Sequence, residues 1–174
     1  MDKKIALVTG ADGGMGTIHT RTLAKAGYEV IMGCYDAEIA RPVMESIQKE
    51  TGGTLHLMQV DLGDLQDVVR FAEEVKSRFP SLQILLNNAG VLCHNAKNSV
   101  NGVEYTAAVN YLGHYTLTYA LLPIMGNGTR IVSMISIAYV MGKIREDFLK
   151  ETNSKKFNRF TAYGNSKRAL YYFM

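Results

Sequence analysis

Apolar residues along the chain gather into short runs separated by longer amphipathic stretches. Ile5 to Val8, Tyr28 to Met32, Thr54 to Val60, Leu82 to Leu86 and Ile131 to Ile135 have the length and composition of strands buried on both faces. Helical stretches lie between them. Thr17 to Ala26 is stopped by Gly27, and Ala37 to Glu50 is closed by Gly52 and Gly53. Asp64 to Phe79 carries Leu65, Val68, Val69, Ala72 and Val75 as a stripe, with Pro80 beyond its end. Gly102 to Leu122 is longer, apolar on much of its surface, and stopped by Pro123. Ile137 to Asn158 has weak periodicity and many charges and reads as an excursion before a last helix beginning near Arg159. Alternation of this kind predicts an α/β fold, a parallel sheet with helices on both faces, in one domain spanning residues 1 to 174.

Ligands of such a sheet gather at the carboxyl ends of its strands, so the residues following each run are the first to inspect. After the first comes Thr9, Gly10, Ala11, Asp12, Gly13, Gly14, Met15, Gly16, directly before a helix. Glycines there let a backbone approach a diphosphate, and helix N-terminal amides face it. Asp36, past the second run, has two readings: an acceptor for adenosine ribose hydroxyls, or the N-cap of the next helix. Asp61 is either a partner for an adenine amino group or a turn residue. Asn87, Asn88, Ala89 and Gly90 can pin a loop against a cofactor or form an ordinary turn. Asn110 sits inside the long helical stretch, where an amide is a poor helix former and costly to bury; a local bend or a proton relay would account for it. Tyr163 and Lys167 are four apart, on one face of a helix. A phenol of pKa about 10 beside a cation is a candidate proton acceptor for an alcohol, although a surface tyrosine beside a solvated lysine has the same spacing.

Composition narrows the classes. The chain is 47% hydrophobic and 20% charged, which suits a globular domain with a packed core. Net charge is +3, unevenly placed: Met1 to Gly142 holds 11 Lys and Arg against 13 Asp and Glu, and Lys143 to Arg168 holds 8 against 3. No aromatic and glycine pattern of an RNA-binding module accompanies the basic segment, so nucleic acid is not expected as a partner. Two cysteines, Cys34 and Cys93, do not make a disulfide framework, and a reducing, cytoplasmic setting is expected. No apolar run reaches the roughly 18 residues of a membrane span, so no membrane is expected. Cys93 and His94 are adjacent potential metal ligands without a second pair at ligand spacing, and no metal is expected.

The glycine motif at Thr9 to Gly16, Asp61, Asn87 to Gly90, and the set Asn110, Ser136, Tyr163 and Lys167 together resemble the short-chain dehydrogenase/reductase superfamily. The stretches Asn101 to Glu104 and Val109 to His114, and the 27-residue step from Ser136 to Tyr163, are similar to its retinol-dehydrogenase-like branch. The resemblance implies a Rossmann-like doubly wound sheet, strand order 3-2-1-4-5, lacking the family's last strands. It implies Asn110, Ser136, Tyr163 and Lys167 as catalytic residues. Tyr163 would exchange a proton with the substrate oxygen and Ser136 would hold that oxygen. Lys167 would lower the tyrosine pKa and bind nicotinamide ribose, and Asn110 would hold a relaying water. The cofactor-binding set is Thr9, Gly10, Gly14, Met15, Gly16, Asp36, Asp61, Leu62, Asn88, Ala89, Gly90, Tyr163 and Lys167.

Three departures from the family pattern bear on function. Cys34 and Tyr35 stand where relatives often carry the residue that separates NAD from NADP, leaving Asp36 to favour NAD slightly. Ser133 and Ile135 change the neighbourhood of Ser136. Family members continue well past the Tyr and Lys motif, so the domain reads as incomplete, with Ile131 to Ile135 an apolar edge open to self-association. The expected function is transfer of hydride between NAD or NADP and a small-molecule alcohol or carbonyl, by a possible homo-oligomer. The alternative is a nucleotide-binding module or sensor with little or no turnover.

Overall fold

The computed structural model describes residues 4–145, 147–150 and 157–174. Five parallel strands form one sheet in the order β3-β2-β1-β4-β5. They are β1 (Ile5–Thr9), β2 (Glu29–Cys34), β3 (Leu55–Gln59), β4 (Leu82–Asn87) and β5 (Met125–Ser133). All five β1 residues are buried, as a central strand covered on both faces requires. Val8 lies beside Met32 on one side and Leu86 on the other.

Helices α1 (Gly14–Lys25), α2 (Ala37–Thr51) and α3 (Leu65–Arg78) follow the first three strands. Gly52 closes α2 in the left-handed conformation, φ 66°. The buried stripe of α3 differs from expectation. Val69 is exposed, and Phe71, with Val68, Ala72 and Val75, is buried. Gly33 makes room for that ring, since a Cβ there would lie 3.4 Å from Phe71 Cζ.

By internal contacts the chain forms two compact units, one of Met1–Val60, Arg70–Ala89 and Ala120–Met134, the other of Asp61–Val69, Gly90–Tyr119 and Ile135–Met174. The first holds the sheet. The second holds α4 (Tyr105–Ala107), the start of α5 (Gly113–Leu121) and α6 (Arg159–Phe173).

The stretch expected as one helix from Gly102 to Leu122 is broken up. Glu104 caps α4 by accepting from the Thr106 and Ala107 amides at 2.9 and 2.8 Å. Ala108–Leu112 is then a π-helical turn, and Leu122–Ile124 a 3₁₀ turn around Pro123. The local bend that a buried Asn110 called for is this π turn.

The fifth strand is longer than the apolar run and begins earlier, at Met125. Its register shifts between Leu82 and Ile84, where the Thr129 hydroxyl donates to Leu82 O at 2.7 Å. Gly126 and Gly128 hide this segment from a hydrophobic pattern. Ile131 and Val132 are each 45% exposed, and among the described residues β5 pairs only with β4. The excursion from Ile137 to Asn158 lies partly outside the described residues; its first part is a 3₁₀ turn, Ile137–Met141.

Candidate active site

In the first unit, the glycine loop is held by β4's far end. Thr9 Oγ1 accepts the amides of Asn88 and Ala89 at 2.9 and 3.0 Å, and Asn88 Nδ2 donates to Thr9 O and Gly10 O at 2.8 and 3.1 Å. Asn88 and Ala89 thus act on the loop's shape. Each glycine serves a different purpose. Gly10 has φ +59°, and a Cβ on it would meet Ala89 Cα at 3.0 Å. A Cβ on Gly16 would overlap Gly10 O and lie 2.9 Å from both Ala11 Cα and Asn88 Nδ2, so Gly16 is required by packing. Gly14 meets nothing within 4 Å. Next to it, the cap residue Gly13 makes no side-chain hydrogen bond, and no acidic residue occupies the first turn of α1, where Met15 is 55% exposed. Open space, uncapped amides and the helix dipole suit a diphosphate.

Asp36 caps α2: Oδ1 accepts from Glu38 N and Ile39 N at 2.9 and 3.1 Å. Of its two readings, the capping one is realised in the geometry. Cys34 points into the core, its thiol pushed up to about 12 by burial and by the Asp12 carboxylate, so it is chemically quiet.

In the second unit, Asp61 Oδ1 accepts Gly63 N at 2.7 Å, a turn role, and its amide donates to Asp67 Oδ2 at 2.8 Å. Leu62 is buried, and Gly113 leaves room for its carbonyl at the start of α5.

Asn110, Tyr163 and Lys167 are brought together there. The fully buried Asn110 amide accepts Val91 N at 2.7 Å and donates to Val91 O at 2.9 Å and Ser166 Oγ at 3.0 Å. Both its N–H donors are therefore used by protein groups. Lys167 is 4% exposed; burial lowers its ammonium to about 8. Its Nζ lies 5.7 Å from the Tyr163 ring centroid, and 3.4 Å from where a Gly90 Cβ would stand. Gly90 keeps that space open.

Ser136 begins the 3₁₀ turn, its Oγ accepting Ala138 N at 3.3 Å, which leaves the hydroxyl proton for another acceptor. The turn is seated on α6 through two glycines. A Cβ on Gly142 would overlap Gly164 O, one on Gly164 would lie 3.0 Å from Ala138 O, and Arg168 Nη1 donates to Gly142 O at 2.8 Å. Ser136 therefore starts a turn packed on the residue that follows Tyr163. His94, adjacent to Cys93, pairs with Arg159 through Nδ1 at 2.6 Å.

Sequence reasoning assigned no role to Ser166, Val91 or His114. His114 had a readable signal, four residues from Asn110 on one helix face. It is fully buried and its Nδ1 bonds Asn110 O at 3.2 Å. A carbonyl only accepts, so Nδ1 carries the proton. Burial, then the Lys167 charge, lowers the imidazole to about 4 against a bond to Asn110 that opposes the shift. The unfolded chain takes up this proton near pH 6.5 and the folded one only near 4, so stability should fall as pH drops through that window, by about 3 kcal/mol. Urea unfolding at pH 7 and pH 4.5 should show the loss, and His114→Gln should remove a large part of it.

A family model described as short chain dehydrogenase matches residues 4–147. The chain is 35% identical to retinol dehydrogenase 12 of Mus musculus over 169 residues, which are 95% of this chain and 53% of that one. It is 33% identical to polyprenol dehydrogenase of Mus musculus, covering 96% of this chain and 51% of that one. The chain thus spans about half the length of the curated relatives it matches. Among solved structures, the Pseudomonas aeruginosa RhlG/NADP active-site complex aligns with a TM-score of 0.76 and 26% identity, over 97% of this chain and 63% of that one. The oxidoreductase yciK from E. coli aligns with 0.78 and 25%, over all of this chain and 68% of that one. With the family model over residues 4–147, these relatives and the strand order in agreement, the chain belongs to the short-chain dehydrogenase family, in its retinol-dehydrogenase-like part.

Proposed function

We propose that the protein transfers hydride between a nicotinamide dinucleotide and an alcohol or carbonyl substrate, with Tyr163 as acid and base. The observation that carries this reading is the buried Lys167, 4% exposed, with its Nζ 5.7 Å from the Tyr163 ring centroid and beside Gly90. Burying an ammonium costs it hydration, and a role at a phenol accounts for its placement there.

When bound, the nicotinamide supplies the hydride acceptor or donor. The α1 amides from Gly14 onward would hold its diphosphate, and Lys167 its ribose. Tyr163 Oη takes the proton from the substrate hydroxyl in oxidation and returns it in reduction, while the Ser136 hydroxyl orients the substrate oxygen. Asn110 acts through its side chain as a clamp on Val91, and any relaying water would have to use other groups. Asp61, Leu62 and Ala89 contribute backbone and turn geometry around the adenosine. The two free cysteines suit a cytoplasmic setting, and among the described residues no helix is long and apolar enough to cross a membrane. Exposed Ile131 and Val132 favour self-association along β5.

Fluorescence titration with NADH and NADPH, followed by an absorbance assay on a panel of alcohols and aldehydes, tests the reading. Binding of either cofactor with turnover of at least one substrate supports it. Binding without turnover selects the second reading, a nucleotide-binding module, which the self-contained glycine loop of the first unit favours. We expect a weak preference for NAD. Asp36→Asn keeps the cap and removes the charge, so it should improve NADP relative to NAD by roughly threefold. An unchanged ratio would remove Asp36 from the cofactor site.

A further inference from the structure

Ser166 is fully buried on α6 between Tyr163 and Lys167, and its hydroxyl is used twice. It donates to Tyr163 O at 2.8 Å and accepts from Asn110 Nδ2 at 3.0 Å. Its only proton is committed to that carbonyl, so it has none to give to chemistry. Asn110 in turn clamps the N–H and C=O of Val91. The neighbour of Val91, Gly90, faces Lys167 Nζ. The contacts close a ring: from the Gly90 and Val91 loop to Asn110, across 56 residues to Ser166 on α6, and through Lys167 back to Gly90.

We propose that Ser166 is a positioning residue, which locks α6 to the Asn110 clamp and so sets where Tyr163 and Lys167 stand relative to the Gly90 loop. The inference rests on the oxidoreductase reading above. Apolar packing tolerates small rotations of a helix about its axis, whereas a hydrogen bond fixes both distance and direction. Rotation of α6 would carry Tyr163 and Lys167 together away from the loop, and small misplacements of reacting groups cost rate steeply. Without the Ser166 hydroxyl, one Asn110 N–H is left buried and unpaired, so the clamp itself is driven to rearrange.

The test compares Ser166→Ala and Ser166→Thr in steady-state kinetics, NADH titration, and hydrogen exchange of the Asn110 side-chain amide by ¹H–¹⁵N spectroscopy. Ser166→Ala should lower kcat about tenfold with NADH affinity held within about twofold, and should speed exchange of the Asn110 amide. Ser166→Thr, which keeps the hydroxyl, should retain kcat within about threefold and keep that exchange slow. Ser166→Cys, close in volume and a weak acceptor, makes the same comparison if the alanine variant does not fold. Parental kcat with slow exchange in Ser166→Ala overturns the proposal, as does an equal fall in kcat for both variants. A parent protein with no turnover on any substrate overturns the functional reading instead. In that case the exchange alone decides: fast in Ser166→Ala and slow in Ser166→Thr supports the lock, and equal rates overturn it.

Discussion

Tyr163→Phe is expected to lower kcat by about 10²- to 10⁴-fold while leaving cofactor affinity within about twofold, because it deletes the proposed proton carrier and little else. Tyr163 is half-buried on α6, and no hydrogen bond of its hydroxyl supports the helix in the described structure. Lys167→Met should behave differently. It removes the proposed ribose contact and the cation beside the phenol, so turnover and cofactor binding should both fall. Stability should report the buried cation through its pH dependence. The Lys167 ammonium is lowered from 10.5 to about 8 by burial, so at neutral pH the folded protein carries a cation that is better hydrated when unfolded. That penalty is present below pH 8 and is relieved between 8 and 10.5, where the unfolded chain keeps a proton the folded one has lost. Urea denaturation of the parent should therefore show stability rising between pH 8 and 10.5, and Lys167→Met should remove that rise. The same rise in Lys167→Met would trace it to another group, and a fully active Tyr163→Phe enzyme would remove the tyrosine from the mechanism.

The second large effect separates two glycines that look alike in the sequence. Gly16→Ala places a methyl against Gly10 O, Ala11 Cα and Asn88 Nδ2, all parts of a loop pinned by hydrogen bonds. Overpacking of this kind costs about 1–3 kcal/mol and should distort the loop, so thermal stability and NAD(P) binding fall together. Gly14→Ala meets nothing within 4 Å and lies at the first position of α1. Its stability should hold or rise by up to about 1 kcal/mol from helix propensity. Dinucleotide affinity should still drop at least about tenfold if the diphosphate lies against that backbone. Calorimetric melting and NADH titration of both variants decide the matter. Unchanged affinity in Gly14→Ala would place the phosphates elsewhere.

The order of strands and helices was legible because it is written in local periodicity. Buried parallel strands must be apolar runs, and the helices between them must show one apolar face, so β1 to β4 and the cores of α1 to α3 lay close to their expected positions. The glycine loop and the Tyr163 and Lys167 pair were equally visible, since each is a pattern of spacings of only a few residues. Boundaries that depend on partners distant in the chain were not. β5 starts at Met125 because Thr129 and Leu82 hold an irregular register, and Val69 gives way to Phe71 in the core because Gly33 makes room for the ring. The same holds within the site. The sequence by itself determined that an amide at Asn110 needs a purpose. Only the tertiary structure decided that the purpose is a clamp on Val91 and a bond to Ser166, and that Asp36 and Asp61 spend carboxylate oxygens on turns and caps. A side chain's residue type declares which hydrogen bonds it must make. Which groups satisfy them is set by the distances that folding creates between residues far apart along the chain.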